Sequence, residues 1–230
     1  MKYTTVVGMI IRQILLRGPP GSGKSTFGKL FREGLPTAKC LSSGDLLRKY
    51  FQQHPEGAHA VERGGLADSE LVHDLMHDEF MQSKREGTKL MLIDGFPRKL
   101  EELITWIART GPPALVVYLD SPYELIVNKL RNRWLCGTCG AMYNLFHDET
   151  TTPIAPRIHM VCDMCKQALI QREDDEEEVI RSRLNVHQDN ERGIIEYFQT
   201  AQKVERIIHL QSTGNSRDHL DRVFREMGIS

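Results

Sequence analysis

Near its start the chain carries the stretch Gly18-Pro-Pro-Gly-Ser-Gly-Lys-Ser25, which decides the fold. It matches the pattern G-x-x-x-x-G-K-[ST], and it lies between a short apolar run and a segment of helical period that begins near Lys24. In such a loop, glycines let successive backbone N–H groups turn toward one anion, and the helix N-terminus adds partial positive charge. The sequence therefore predicts a nucleoside triphosphate site, with Lys24 near the β and γ phosphates and the hydroxyl of Ser25 or Thr26 near the metal.

Short apolar runs alternate with longer helical segments along the rest of the chain, which is the pattern of a parallel sheet covered by helices. We expect an α/β fold whose five central strands are Ile14 to Leu16, Ala38 to Leu41, Leu90 to Ile93, Leu115 to Leu119 and Ile207 to Leu210. Ser69 is a candidate N-cap for a helix after the second strand. One long helix is predicted from Asp174 to Val204, and its acidic start complements the helix dipole.

Composition excludes several classes of function. The 230 residues carry 30 Lys and Arg against 31 Asp and Glu, a net charge of −1, so no basic excess favours nucleic acid. The longest apolar runs are too short to span a bilayer. With no signal-like segment at the start, we expect a cytoplasmic protein without a membrane or nucleic-acid partner. The first ten residues or so look like an extension of unknown purpose.

The cysteines indicate a metal site. From about Arg133 to Gln171 the helical and strand periods stop, which predicts a separately organised insert. Within it are two knuckles with 22 residues between them, Cys136-x-x-Cys139 and Cys162-x-x-Cys165. This spacing favours a closed, structural zinc site of four thiolates. Two disulfides, a reduced insert without metal, or another metal such as iron are the alternatives. Cys40 is interpreted as a small buried residue of the second strand.

Two further segments each follow a predicted strand and bring an arginine to the edge of the sheet that holds the phosphate loop. They are Ser42-Ser-Gly-Asp-Leu-Leu-Arg48 and Asp94-Gly-Phe-Pro-Arg98. Together with the loop, they resemble the adenylate kinase family of nucleoside monophosphate kinases over about Ile14 to Gly228. The paired cysteines and Arg172-Glu-Asp-Asp175 resemble the zinc-carrying, long-lid members of that family.

This resemblance implies a P-loop NTPase fold and reversible, magnesium-dependent transfer of the terminal phosphoryl of ATP to AMP, giving two ADP. It also implies a core made of residues 1–132 and 172–230, with a monophosphate-binding flap at about 42–74 that contains Gly64-Gly65. Residues 133–171 would then be a zinc-stapled lid that closes over the triphosphate and excludes water. A monomer is the family expectation.

The resemblance assigns site residues by position. By this match, the catalytic residues of the chain would be Lys24, Arg98, Arg133, Arg172 and Arg183. Its ATP-binding residues would be Gly21, Ser22, Gly23, Lys24, Ser25, Thr26, Lys129, Arg133 and Tyr143. Its AMP-binding residues would be Ser43, Arg48, Gly95, Arg98, Glu102, Arg172 and Arg183. Asp94 would hold magnesium through water, and Cys136, Cys139, Cys162 and Cys165 would hold zinc.

The chain departs from the family pattern at several of these positions. Ser25 stands where glycine usually follows the loop lysine, Lys129 stands where an arginine commonly stacks on the ATP base, and Arg17 before the loop is uncommon. Glu102 replaces a glutamine that can both donate to and accept from adenine. An ionised carboxylate only accepts, so it would suit a base edge with two donors, as in guanine. Tyr143 is predicted either to contact the ATP base or to pack the lid hairpin.

Two alternatives to an adenylate kinase therefore stay open. The first is a nucleoside monophosphate kinase with altered base selectivity, for example for GMP. The second is a P-loop nucleotide-binding regulatory protein. The presence of both Arg48 and Arg98 favours a kinase, because a simple nucleotide switch has no use for a monophosphate pocket.

Overall fold

The computed structural model describes residues 10–55, 67–148, 153–201, 206–211 and 216–229. Most of the predicted N-terminal extension and the middle of the predicted flap, with Gly64-Gly65, lie outside these described residues. The strands are β1 Arg12–Arg17, β2 Lys39–Ser42, β3 Leu90–Asp94, β4 Leu115–Asp120, β5 Arg133–Cys136, β6 Met142–Asn144, β7 Leu169–Ile170 and β8 Ile207–Gln211. The α-helices are α1 Lys24–Gly34, α2 Ser43–Gln53, α3 Ser69–Arg85, α4 Leu100–Thr110, α5 Tyr123–Arg131, α6 Glu177–Ala201 and α7 Ser216–Glu226.

The main sheet has five parallel strands in the order β2-β3-β1-β4-β8. Each lies within two residues of a strand predicted from an apolar run, so the prediction of a five-stranded α/β fold is confirmed. Parallel strands buried on both faces need continuous apolar runs, which is why these strands were legible in the sequence. The central strand, β1, leads directly into the phosphate loop.

The sheet separates two cores. Alternate residues of β1 point to opposite faces. Leu15 joins the cluster with Met76 and Trp106, under α2, α3, α4 and α6. Leu16 joins the cluster with Phe31 and Val223, under α1 and α7. This layered packing places the phosphate loop and the ends of β2, β3 and β4 at one edge.

Two predicted helix starts are wrong, one by a single residue and the other by three. The N-cap of α3 is Asp68, whose carboxylate accepts from the N–H groups of Glu70 and Leu71, both at 2.9 Å. Ser69 is instead the first helical residue. The long helix begins at Glu177, because Glu173–Asp175 form a 3-10 turn and Glu176 has extended backbone angles. Its described part ends at Ala201.

The insert forms its own small unit. Strands β6, β5 and β7 make a three-stranded antiparallel sheet. Its core consists of Cys136, Tyr143, Cys162 and Leu169 and is separate from the cores on the main sheet. None of the helices in the described part of the chain is long and apolar enough to cross a membrane.

Candidate active site

The phosphate loop joins β1 to α1. Gly18 has φ +133°, and a Cβ there would lie 2.5 Å from the carbonyl oxygen of Leu119, so only glycine fits. Gly23, with φ 97°, caps α1 and offers no side chain to accept the first N–H groups of the helix. These donors remain available to an anion, as an N-terminal phosphate site requires.

Lys24 lies at the centre of this loop. Its ammonium donates to the carbonyl oxygens of Gly18 and Pro19, both at 2.7 Å. The pKa of Lys24 is lowered to about 8, chiefly by burial; Asp94 opposes this shift, and Arg98 and Arg17 add to it. An anionic ligand stabilises the charged form of a lysine that is buried near other cations.

The loop after β3 supplies the opposite side. Gly95 has φ +73°, and a Cβ there would lie 2.7 Å from the hydroxyl oxygen of Ser43. That hydroxyl donates to the carbonyl oxygen of Gly95 at 2.7 Å, which ties the start of α2 to this loop. The Arg98 Nε donates to the same carbonyl at 2.9 Å. Burial lowers the pKa of Arg98, and Arg183 is the next largest cause, so two guanidinium groups face one region.

Asp94 ends β3 between these cations. Its Oδ1 is buried and has no hydrogen-bond partner among the described residues. Burial raises the pKa of Asp94, while Lys24 and Arg98 oppose that rise. An unpartnered carboxylate oxygen beside the phosphate loop fits the hard, oxygen-preferring Mg²⁺ and its water ligands.

The two ends of the insert bring further arginines to this side. Arg133 donates to both carboxylate oxygens of Asp175, at 2.9 and 2.5 Å. Arg183 pairs with Asp174 at 2.7 Å, and Asp174 also lies 3.9 Å from Arg133, so the two aspartates together orient both arginines. Burial lowers the pKa of Arg172, with Arg133 the next largest cause. The charge of Arg48 also lowers the pKa of Arg172. Arg48 itself forms an ion pair with the exposed Asp45.

The predicted site residues therefore fall into groups. One group contains Lys24, Asp94, Arg98 and Arg183, whose charges shift the pKa of Lys24 or Arg98. The other contains Arg48, Arg133 and Arg172, where the first two lower the pKa of the third. Gly21 and Gly23 lie in the loop with positive φ, Ser22 lies there with a buried hydroxyl, and Ser25 and Thr26 are exposed at the start of α1.

Three predicted nucleotide contacts have other partners. Tyr143 is only 7% exposed, and its hydroxyl donates to Cys162 Sγ at 3.6 Å and accepts from the Asp163 N–H at 2.8 Å. Of its two predicted roles, this favours packing the lid. The Glu102 carboxylate accepts from the backbone N–H groups of Arg98 and Lys99. Burial lowers the pKa of Lys129, and Asp148 is the charge that opposes it.

The four paired cysteines converge on one point. Their sulfur atoms all lie within 4.8 Å of one another. The Cys136–Cys165 and Cys139–Cys162 sulfurs are 3.3 and 3.5 Å apart, far beyond the roughly 2.05 Å of a disulfide. Four ligands at about 2.3 Å around one zinc would place their sulfurs roughly 3.8 Å apart. The cluster therefore can hold a metal ion.

The two knuckles have matching turns. The N–H of Gly140 donates to the Cys136 carbonyl at 2.9 Å, and the N–H of Lys166 donates to the Cys162 carbonyl at 3.0 Å. Both donor residues have positive φ, 72° and 64°. Gly140 adopts this conformation without steric cost, whereas Lys166 does not, so the second turn is held by its surroundings.

One part of the site escaped prediction. Arg17 is buried, forms a bidentate ion pair with Glu191 of α6, and donates to the carbonyl of Pro97. The local signal was a charged residue directly after the apolar run Ile14 to Leu16. Its partner is 174 positions away, so no sequence period relates the two.

Comparison with known proteins agrees with this geometry. A family model described as adenylate kinase matches residues 16–203. A Thermosipho melanesiensis protein named adenylate kinase is 34% identical over 203 residues, which cover 83% of this chain and 89% of that protein. A Thermosipho africanus adenylate kinase is 35% identical over 81% of this chain and 87% of its own. A Rickettsia bellii adenylate kinase is 28% identical over 92% of this chain and 98% of its own.

Proposed function

The chain belongs to the adenylate kinase family, and on that premise we propose how its residues divide the work of the reaction. The activity is that of a nucleoside monophosphate kinase: reversible, magnesium-dependent transfer of the γ-phosphoryl of ATP to AMP, giving two ADP. Such a transfer needs little covalent chemistry from the protein and much positioning of charge.

One observation carries the assignment. Cationic side chains from separate parts of the chain lie close enough to lower one another's pKa. Arg98 lowers the pKa of Lys24, and Arg183 lowers the pKa of Arg98. Gathering partly buried like charges is unfavourable in the free protein, and an anionic ligand that joins them offsets this cost. The gathered cations therefore support a site for two phosphate chains that meet end to end.

On the triphosphate side, Lys24 and the N–H groups of the loop from Gly21 to Thr26 hold the β and γ phosphates. Lys24 exchanges its carbonyl partners for phosphate oxygens. Asp94 would hold magnesium through water, and the ion would offset charge on the phosphates of ATP. Lys129 lies on the side of the ATP base.

On the monophosphate side, Arg48 and Arg98 bind the phosphate of AMP, since the planar guanidinium can donate two parallel hydrogen bonds. Ser43 and Gly95 set the distance between them through their shared hydrogen bond. Arg172 and Arg183 complete the set around the transferred group, together with Arg133. The flap over AMP corresponds to residues 42–74.

The insert, residues 133–171, acts as the lid over ATP. Four thiolates leave no coordination position for substrate, so zinc would stabilise the lid without entering the reaction. Closure of the lid excludes water, so that transfer to AMP outcompetes hydrolysis. Because all these residues belong to one chain, we propose a monomer, and a cytoplasmic one given its nucleotide substrates.

A coupled assay with ATP and each of AMP, GMP, CMP and UMP tests the proposal. We expect two ADP per AMP and a preference for AMP. Arg98→Lys should lower kcat by about 100-fold, because a point charge replaces the guanidinium fork. The matched control Arg85→Lys changes an exposed residue of α3 and should leave kcat unchanged. ATP binding without AMP-dependent turnover would support a regulatory protein instead.

A further inference from the structure

A buried ion pair lies behind the phosphate loop. Arg17 Nε donates to Glu191 Oε1 at 2.7 Å, and its Nη2 donates to Oε2 at 2.6 Å. The side chains of Arg17 and Glu191 are only 6% and 5% exposed. The remaining nitrogen, Nη1, donates to the carbonyl oxygen of Pro97 at 2.5 Å.

This one guanidinium joins three parts of the proposed site. Arg17 is the last residue of β1 and immediately precedes Gly18 of the phosphate loop. Pro97 immediately precedes Arg98. Glu191 lies eight residues after Arg183 on α6, just over two helical turns and roughly 12 Å along the axis. The phosphate loop, the Arg98 loop and the helix that carries Arg183 are thus connected through one side chain.

Stability alone does not account for this arrangement. A buried ion pair is worth little more than well-packed apolar side chains of similar volume, because both charges lose their hydration. Apolar side chains would also suit the position, since Leu15 and Leu16 before it are fully buried. What apolar residues could not supply is the hydrogen bond to the Pro97 carbonyl, which fixes the backbone next to Arg98.

We propose that Arg17 and Glu191 are positioning residues for phosphoryl transfer, in which Glu191 orients Arg17 and Arg17 holds the Pro97 carbonyl and so the backbone from which Arg98 reaches the phosphate. The inference rests on the proposed role of Arg98. It assigns no contact with substrate to either residue of the pair.

The charges around the pair are consistent with this role. His187, one turn before Glu191 on α6, has its Nδ1 3.7 Å from Glu191 Oε2. Burial lowers the pKa of His187 to about 4, so at neutral pH this imidazole is uncharged and does not compete with Arg17. Glu191 also offsets the repulsion that Arg17 exerts on Lys24.

Paired substitutions separate positioning from stability. Arg17→Met leaves Glu191 buried without a partner and should unfold at lower denaturant concentration than the wild type. The double variant Arg17→Met/Glu191→Leu removes both charges and should recover the wild-type unfolding midpoint. We nevertheless expect its kcat to stay about 10-fold or more below wild type, with KM for ATP within about threefold and KM for AMP raised, because Arg98 is misplaced. Wild-type kcat in a stable double variant would overturn the proposal.

Arg17→Lys provides a second test that does not require a stable double variant. The lysine keeps a cation opposite Glu191, but an ammonium at one point cannot bond to both Glu191 oxygens and to Pro97 as the fork does. Its kcat should fall by about 10-fold at unchanged KM for ATP, and an unchanged kcat would overturn the inference. Arg98→Lys is assayed in parallel: wild-type kcat in that variant would refute the role of Arg98 itself, a failure distinct from that of the pair.

Discussion

The carboxylate of Glu102 accepts from the backbone N–H groups of Arg98 and Lys99, at 2.7 and 3.3 Å. Lys99 is the N-cap of α4, whose N–H has no carbonyl partner within the helix, and Arg98 directly precedes it. Glu102 is the third residue of that helix, the position from which glutamate or glutamine reaches back in a capping box. Glu102, which stands where the family commonly has glutamine, can therefore serve a structural role without contacting the base of the nucleotide.

Glu102→Gln should accordingly change base selectivity little. Glutamine retains an oxygen acceptor for the same N–H groups, so we expect the ratio of kcat/KM for AMP to that for GMP to change by less than about threefold. Glu102→Ala is the matched variant without the cap, and it should lose about 1 kcal/mol of unfolding free energy. Steady-state kinetics with both monophosphates and urea unfolding measure the two effects. A strong loss of GMP turnover in Glu102→Gln would instead show that the carboxylate reads the base.

Lys24 makes ATP capture depend on pH. Its pKa is lowered to about 8 in the free protein, so the ammonium is lost as the pH rises through 8. We expect kcat/KM for ATP to fall about tenfold per pH unit above that point. Bound phosphates favour the cation, so the corresponding decline in kcat should occur at higher pH.

Initial rates between pH 6 and 10 measure both profiles of Lys24. The control is Lys24→Arg, whose guanidinium stays charged across this range, although its activity will be lower. Its kcat/KM should show no decline near pH 8. Persistence of that decline in the arginine variant would assign it to another group.

At the scale of elements, the lid is stabilised separately from the sheet. Its core of four residues includes two cysteines and has no member in the clusters on either face of the main sheet. So small a core cannot hold three short strands without a cross-link or metal. The lid should therefore depend on its metal, and the main sheet should not.

Removal of zinc should loosen the lid and leave the core folded. Protein purified without chelator should contain one zinc per chain by elemental analysis. After chelation, amides of β5 and β6 should lose protection from hydrogen exchange, while those of β1 and β3 keep it. Cys139→Ser should lower the zinc content, whereas Cys40→Ser, at a thiol that bonds to the Gly28 carbonyl in the main core, should not. Loss of the whole fold in one transition would contradict this prediction.

Over the whole molecule, sequence reasoning succeeded where the determinants are local. The phosphate loop was legible because its glycines and Lys24 are contiguous, and the strands because parallel sheets need apolar runs. Helix starts were less certain: Asp68 and Ser69 are both good caps, and only the hydrogen bonds of Asp68 distinguish them. The pairing of Arg17 with Glu191 depends on the tertiary fold, so no local pattern indicated it, and only the burial of Tyr143 beside Cys162 distinguishes between the two predicted roles of that tyrosine.

The bidentate contact between Arg133 and Asp175 brackets the insert, because it joins the first residue of the lid to the turn that follows it. Nearby, Gln171 Nε2 donates to the Arg131 carbonyl at 2.7 Å, so the chain leaves the lid where it entered. A segment whose two ends meet can be exchanged for one of another length without displacing the strands on either side. We therefore expect the core to tolerate replacement at this point, so that a shorter, cysteine-free lid spliced between Arg133 and Asp175 should leave the register of the main sheet unchanged.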